Sequence, residues 1–459
     1  MPGEASAAGD KLQPGDLGLY RQNGRACSLL DMGHSRARSV ALSRWCGAIA
    51  TALAMALVAT GCTGGGAPSG EGSAPTSRSV VGDGDDRAVG ALLGATTQKA
   101  FNDGHFTSLV AQVMIDGRVV DTVTYGDAMT GFPVTAEGRF RNGAVAIMYM
   151  AATMLAMADE GLIDIDAPIS RWLPDLPDAD KATPRMLASM TSGYPDHVAN
   201  PDFLTAQAAN PFRAWTEKEL LAYSAASPRL FPPGENWDYS HAGYIILGHV
   251  MEAESGKTLD ELIAHYVLDP LKLTGTVADV TARVPEPVVH GFTAERGLFE
   301  DSTYWNPSWT LPHGAIETTT IADMTSSFDA IVGRGELLSA ESHEAMISKN
   351  LIGFGAPLDG CRSCHTLTAE WTYGLGVFLR DDWVMQTPLF GGYQAAVATL
   401  PEAQSPKGSV TVAVSVVPGA KSYTTEEWGG NLKNFAADLA TELAARIVPE
   451  NPPPPPTSH

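Results

Sequence analysis

Residues 108–126 (SLVAQVMIDGRVVDTVTYG) alternate apolar and polar positions on both sides of Asp116-Gly117. A period of two puts successive side chains on opposite faces of a strand, and an Asp-Gly step between two such runs is a strong hairpin signal. Residues 143–160 (GAVAIMYMAATMLAMADE) are apolar on nearly every face and stop at Gly161. A helix of that kind belongs inside a large core. Pro168, Pro174, Pro177 and Pro184 then break the chain into short helical stretches. Residues 408–418 (GSVTVAVSVVP) alternate valine with small residues as a strand does, and 425–446 predicts a helix interrupted early by Gly429-Gly430. Strands at both ends with helices between predict an α+β domain whose terminal strands share one sheet.

The chain has 459 residues and a formal net charge of −22, from 30 basic and 52 acidic side chains. Its 44% hydrophobic content suits a globular core and excludes wholesale disorder. Such an acidic balance argues against nucleic acid as a partner, because neutralising phosphates takes clustered Lys and Arg. Five cysteines make no disulfide scaffold.

The N-terminus departs from the rest. Between Met32 and Cys62 lie three arginines (Arg36, Arg38, Arg44) and no acid, followed by an apolar run from Trp45 to Thr60. A basic segment, an apolar stretch of about 15 residues and small residues at its end form a secretory signal pattern. The run ends Val58-Ala59-Thr60-Gly61-Cys62, which resembles a bacterial lipobox with Ala59 in place of the usual leucine. The expectation is a signal peptide over 32–61, lipidation of Cys62 and a flexible Gly/Ser/Pro tether over 62–87. Residues 1–31 do not fit a signal peptide, which makes them a candidate gene-model extension. The folded domain is expected over 88–448, with a Pro-rich tail over 449–459. These features together imply an extracytoplasmic protein held at the cell membrane by lipid.

Within the domain a resemblance emerges. Phe140-Arg141-Asn142-Gly143-Ala144-Val145-Ala146-Ile147 and Ala158 to Pro168 resemble the nucleophile helix of the serine β-lactamase-related family, which includes class C β-lactamases, D-alanyl-D-alanine carboxypeptidases and related esterases. Leu187 to Pro195 (LASMTSGYP), Phe231-Pro232-Pro233-Gly234 to Tyr239-Ser240-His241, Gly243-Tyr244 to Leu247-Gly248, Asp269-Pro270-Leu271 to Thr276, and Tyr373-Gly374-Leu375-Gly376 follow in the family's order. The resemblance implies a β-lactamase/penicillin-binding-protein-like fold, an antiparallel sheet flanked by helices with an inserted, mostly helical region.

The family's chemistry is altered at each of its three motifs. Active members carry Ser and Lys one helical turn apart, so that a base can take the serine proton and the oxygen can attack a carbonyl. Those positions are Ala144 and Ile147 here. The Tyr-x-Asn motif is Tyr239-Ser240-His241, and the strand motif His-Thr-Gly becomes Gln386-Thr387-Pro388. A proline there lacks the backbone N–H and suits only an edge position or a bulge. Of ten lysines, only Lys99 has a hydroxyl residue (Thr96) three positions earlier, far from the motif's place. The resemblance therefore implies a pocket of Ala144, Ile147, Tyr239, His241, Gln386 and Thr387, with Pro388 at the last altered family position and without the standard catalytic pair. A rebuilt hydrolase using His241 with Ser240 or Ser192 is the alternative, weakened because neighbours on an extended segment point apart.

Cys361-Arg362-Ser363-Cys364-His365 matches the c-type haem attachment string. A haem needs its own buried pocket and usually a second axial ligand, so a local disulfide is the plainer expectation, with a reactive thiol pair as the other reading. No cofactor and no metal is expected. Three functions stay open: a non-catalytic binding or regulatory lipoprotein whose cleft holds cell-wall peptide or an acyl group, a serine hydrolase with a non-standard nucleophile, or a structural interaction protein.

Overall fold

The computed structural model describes residues 84–278, 281–424 and 433–455. Cys62, the expected signal peptide and most of the expected tether lie outside them, as do 425–432 at the front of the expected C-terminal helix. The first described helix, α1 (Gly84–Gly104), starts inside the stretch that composition assigns to the tether. Its first turn explains the difference: Asp85 and Asp86 sit at the positive helix end, and buried Asp86 pairs with Arg118.

The expected hairpin is β1 (Phe106–Ile115) and β2 (Arg118–Met129), paired antiparallel. Asp116 and Gly117 both take positive φ, at 49° and 73°, as a two-residue turn with the twist of its flanking strands requires. A short β3 (Phe132–Pro133) extends the edge. The apolar stretch after it becomes α2 (Val145–Asp159), buried from Val145 through Met157. The inserted region is helical, and its α3 (His241–Ser255) begins at the end of Tyr239-Ser240-His241.

The chain then returns to the sheet through β4 (Thr372–Tyr373), β5 (Phe378–Arg380), β6 (Trp383–Gln386), β7 (Leu389–Phe390), β8 (Tyr393–Leu400) and β9 (Val410–Pro418), and ends in α4 (Phe435–Ile447). The nine strands run in the order β3-β2-β1-β9-β8-β6-β5-β4, with β7 also paired to β8. The two terminal long strands are neighbours, Ile115 opposite Val410 and Val110 opposite Ser415. Every residue of β8 and β9 is buried because both faces are covered. On one side α1 and α4 contribute Leu93, Leu439 and Leu443. On the other, α2 and the helix Ile321–Phe328 build the larger core.

The tail also packs. Trp383 Nε1 donates to Asn451 O at 2.8 Å, and Asn451 Nδ2 donates to Asp382 at 3.1 Å. Among the described residues no helix is long and apolar enough to cross a membrane.

Candidate functional site

The segment Asn142-Gly143-Ala144 leads into α2 and forms the floor of a cleft. Asn142 is anchored to Glu317 twice, by its backbone N–H to Glu317 O at 3.1 Å and by Nδ2 to Oε2 at 3.0 Å. Glu317 is buried, and burial pushes its carboxyl up to about 8, so it is largely a neutral acid at pH 7. Gly143 has φ of 55°, and a Cβ there would stand 2.4 Å from Pro388 Cβ. The glycine is what lets Gln386-Thr387-Pro388 close against the helix start. Ala144 is half-buried at the helix N-cap and makes no capping bond; Ile147, one turn on, is wholly buried.

The strand side of the cleft shows how Pro388 is tolerated. Gln386 lies opposite Val397 and Leu389 opposite Gln394, so register passes through Thr387-Pro388 without a bulge. The β5 pairing stops with Phe378 opposite Met385, leaving β8 as the single neighbour of this stretch. Pro388 lies beyond the β5 pairing, but its ring nitrogen faces β8, so the proline leaves out one ladder bond to that strand. Ala395 N–H donates to Pro388 O at 3.1 Å, and an N–H at 388 would return that bond to Ala395 O. Asn434 Nδ2 donates to Thr387 O at 3.1 Å and comes within 3.5 Å of Ala395 O, a partial substitute from the N-cap of α4. Gln386 is buried and donates from Nε2 to Gly376 O at 2.6 Å. Gly376, the last residue of the Tyr-Gly-Leu-Gly landmark, has φ of 76° and lies so close to α2 that a Cβ would stand 2.9 Å from Ile147 O.

The third wall comes from the start of α3. Ser240 is its N-cap: Oγ accepts from Gly243 N–H at 3.0 Å and donates to Tyr194 O at 2.8 Å. Those bonds and its burial keep the hydroxyl out of the cleft. Ser192 is buried too and does not line the cleft. His241 does line it, with Nδ1 held 3.0 Å from Asp196 Oδ2 and its backbone N–H 3.2 Å from Oδ1. Burial alone would raise the Asp196 carboxyl; the charge and hydrogen bond of His241, with His197 beside it, hold it below the usual range. His197 is itself pushed down to about 4 by burial, against the pull of Asp196. Burial and the Asp196 charge raise Tyr239, so it stays a neutral phenol at physiological pH.

One cleft of about 260 Å³ therefore gathers Ala144, Ile147, Tyr239, His241, Gln386, Thr387 and Pro388, closed on its far side by Trp309 and Phe390. Among the described residues no lysine or serine lines it. Tyr239 and Phe378, stacked at 6.2 Å and 5° between ring planes, also wall a chamber of about 700 Å³ that carries Asp196, Asp238 and the Cys361–Cys364 disulfide. Asp196, Glu317, Asp238 and Trp309 were not singled out from the sequence. Asp196 directly follows the Leu187–Pro195 landmark, but no local spacing ties it to a histidine 45 positions later.

An antiparallel sheet with α2 packed on one face and a helical insertion between its strands in the chain defines a β-lactamase/penicillin-binding-protein-like α+β domain. A family model described as "Beta-lactamase" matches residues 86–427, and the chain belongs to that family. It is 28% identical over 200 residues to the esterase EstB of Burkholderia gladioli, covering 41% of this chain and 51% of that protein. A D-aminopeptidase of Cereibacter sphaeroides is 26% identical over 202 residues, 41% of this chain and 38% of that one. The chain thus spans about half, or less, of these relatives' length. Among solved structures, the D-amino acid amidase of Ochrobactrum anthropi SV3 with bound L-phenylalanine superposes with a TM-score of 0.61 at 20% identity, over 79% of this chain and 99% of that one. The octameric penicillin-binding protein homologue of Pyrococcus abyssi gives 0.60 at 17%, over 79% and 78%.

Proposed function

We propose that this is a cell-envelope lipoprotein whose β-lactamase-related domain binds, without turning over, an acyl group or cell-wall peptide. The observation that carries the reading is the pair Ala144 and Ile147 at the cleft floor, where neither side chain can attack a carbonyl or move a proton. Removing a nucleophile from a serine hydrolase costs on the order of 10⁶ in turnover. The apolar floor with Trp309, Phe378 and Phe390 around it suits a hydrophobic ligand group. Anchoring at Cys62 would place the cleft on the outer face of the membrane.

A fluorescent penicillin and a fluorophosphonate test the first part: no covalent adduct is expected on the purified protein, and an adduct refutes the binding-only reading. Replacing Cys62→Ala tests the anchor; it should leave an uncleaved precursor or a soluble form, and membrane sedimentation equal to the parent would sink the anchoring claim.

A second reading has one observation in its favour. The His241–Asp196 pair has the geometry of a base oriented by a carboxylate. Several relatives bear hydrolase names. On this reading His241 would activate a water or a cleft hydroxyl such as Thr387. Turnover of nitrocefin or a nitrophenyl ester that disappears with His241→Ala would select it over binding alone.

A further inference from the structure

The Cys361-Arg362-Ser363-Cys364 turn lies apart from the cleft floor, in the wall of the larger chamber. The two cysteines form a disulfide with Cα atoms 5.5 Å apart. Three features of their surroundings exceed what a loop staple requires.

The sulfurs are unequal. Cys361 is half-buried, whereas Cys364 is buried at 8% exposure. Exchange proceeds by thiolate attack along an accessible line, so access selects the Cys361 sulfur as the one attacked. The Cys364 backbone N–H also donates to Cys361 Sγ at 3.1 Å, a bond that stabilises negative charge on that sulfur. Arg362 adds a positive charge to the same turn.

A carboxyl stands beside the pair. One oxygen of Asp238 and both sulfurs lie within 4.8 Å of one another. Asp238 is bonded by Ser363 Oγ, the residue between the cysteines. Burial, with a smaller contribution from Asp196, pushes its carboxyl up to about 6. Near neutral pH such a group both gives and takes a proton readily.

The staple itself contributes little. Closing two intervening residues removes less unfolded-chain freedom than a long-range bridge would. The chamber, by contrast, is large enough for a peptide segment, and Trp237, Trp371 and Phe231 give it aromatic walls.

We propose that Cys361 and Cys364 form a thiol–disulfide exchange centre, with Asp238 as its proton donor and acceptor and peptide dithiols as its substrates. A thiolate of the incoming dithiol bonds to Cys361 Sγ while the Cys361–Cys364 bond breaks. The electron pair goes to Cys364 Sγ, which takes a proton from Asp238. The second thiol of the substrate then gives its proton to Asp238 and attacks the substrate sulfur of the mixed disulfide, releasing Cys361 as a thiolate that takes from solvent the proton the first substrate thiol gave up. The substrate leaves as a disulfide, oxidised by two electrons, and the protein keeps two thiols; the two protons lost by the substrate balance the two gained by the cysteines. The centre is independent of the cleft reading, since none of its residues lines the cleft floor.

The test uses the full chain in its oxidised form with reduced glutathione as the probe, acid quenching and peptide mass mapping. The mixed disulfide is expected on Cys361, forming at least about tenfold faster in the folded protein than in the same chain unfolded in urea. Asp238→Asn should slow the reaction about fivefold or more, with Asp238→Glu restoring most of the rate, a rescue that a packing role would not produce. An adduct mainly on Cys364, or a folded-state rate no faster than the unfolded one, overturns the proposal on the unaltered chain alone. Equal rates for Asp238→Asn and the parent overturn the role of Asp238.

Discussion

Glu317→Gln is the substitution whose consequence follows most directly from the structure. The carboxyl is buried against Asn142, and burial lifts it from its ordinary 4.5 to about 8. Between those two values the folded protein holds a proton that the unfolded chain has released, so stability falls as pH rises. Each pH unit in that window is worth about 1.4 kcal/mol, giving a loss on the order of 3–5 kcal/mol from pH 4.5 to 8. Glutamine keeps the acceptor for Asn142 Nδ2 but cannot ionise, so the loss should vanish. At the acid end the amide places one extra donor in the same buried position, and the variant should start level or about 1 kcal/mol less stable. Its curve should then cross that of the parent and lie above it at pH 8. The assay is urea unfolding followed by tryptophan fluorescence at half-unit steps from pH 5 to 8. His197, with its value pushed down to about 4, loses its contribution as pH falls from 6.5 toward 4, but it is shared by both proteins and cancels in the difference. Parallel curves for parent and variant would refute the reasoning, because they would show that Glu317 releases its proton in the folded state as easily as in water.

Three further variants have expected outcomes. Installing Ala144→Ser with Ile147→Lys should not restore efficient hydrolysis of nitrocefin, because Gln386 and Pro388 still occupy the strand motif; turnover near that of an active relative would refute this. The new lysine replaces a side chain with no exposure, so the protein should lose on the order of several kcal/mol in urea unfolding unless the amine gives up its proton. Replacing Cys361→Ser and Cys364→Ser together should leave a folded, monodisperse protein with added protease nicking between about Asp359 and Thr372; global unfolding instead would show that the bridge holds more than its own turn. Gly392→Ala should express poorly or unfold early on thermal scans, since φ there is 85° and a Cβ would stand 1.9 Å from Phe292 O.

Much of the fold was legible along the chain because its signals are local. Asp116-Gly117 between alternating runs specifies a two-residue turn, and the all-apolar 143–160 stretch specifies a central helix wherever it packs. Ala144, Ile147, His241 and Pro388 could be picked out along the chain because they interrupt otherwise ordered landmarks, but only packing set them around one cleft. The start of α1 was not legible, because a Gly/Asp-rich sequence becomes helix there only once Arg118 supplies a partner for Asp86. The electrostatics of the site were equally out of reach. Asp196 meets His241, Glu317 meets Asn142, and Asp238 meets the cysteine turn across separations of 45, 175 and 125 residues for the bonds involved. A side chain's proton affinity depends on what excludes water around it, and that is decided by packing rather than by neighbours in the chain. Sequence alone determined which chemical groups were present at the motif positions; the tertiary structure decided which acids stand behind them and in what protonation state.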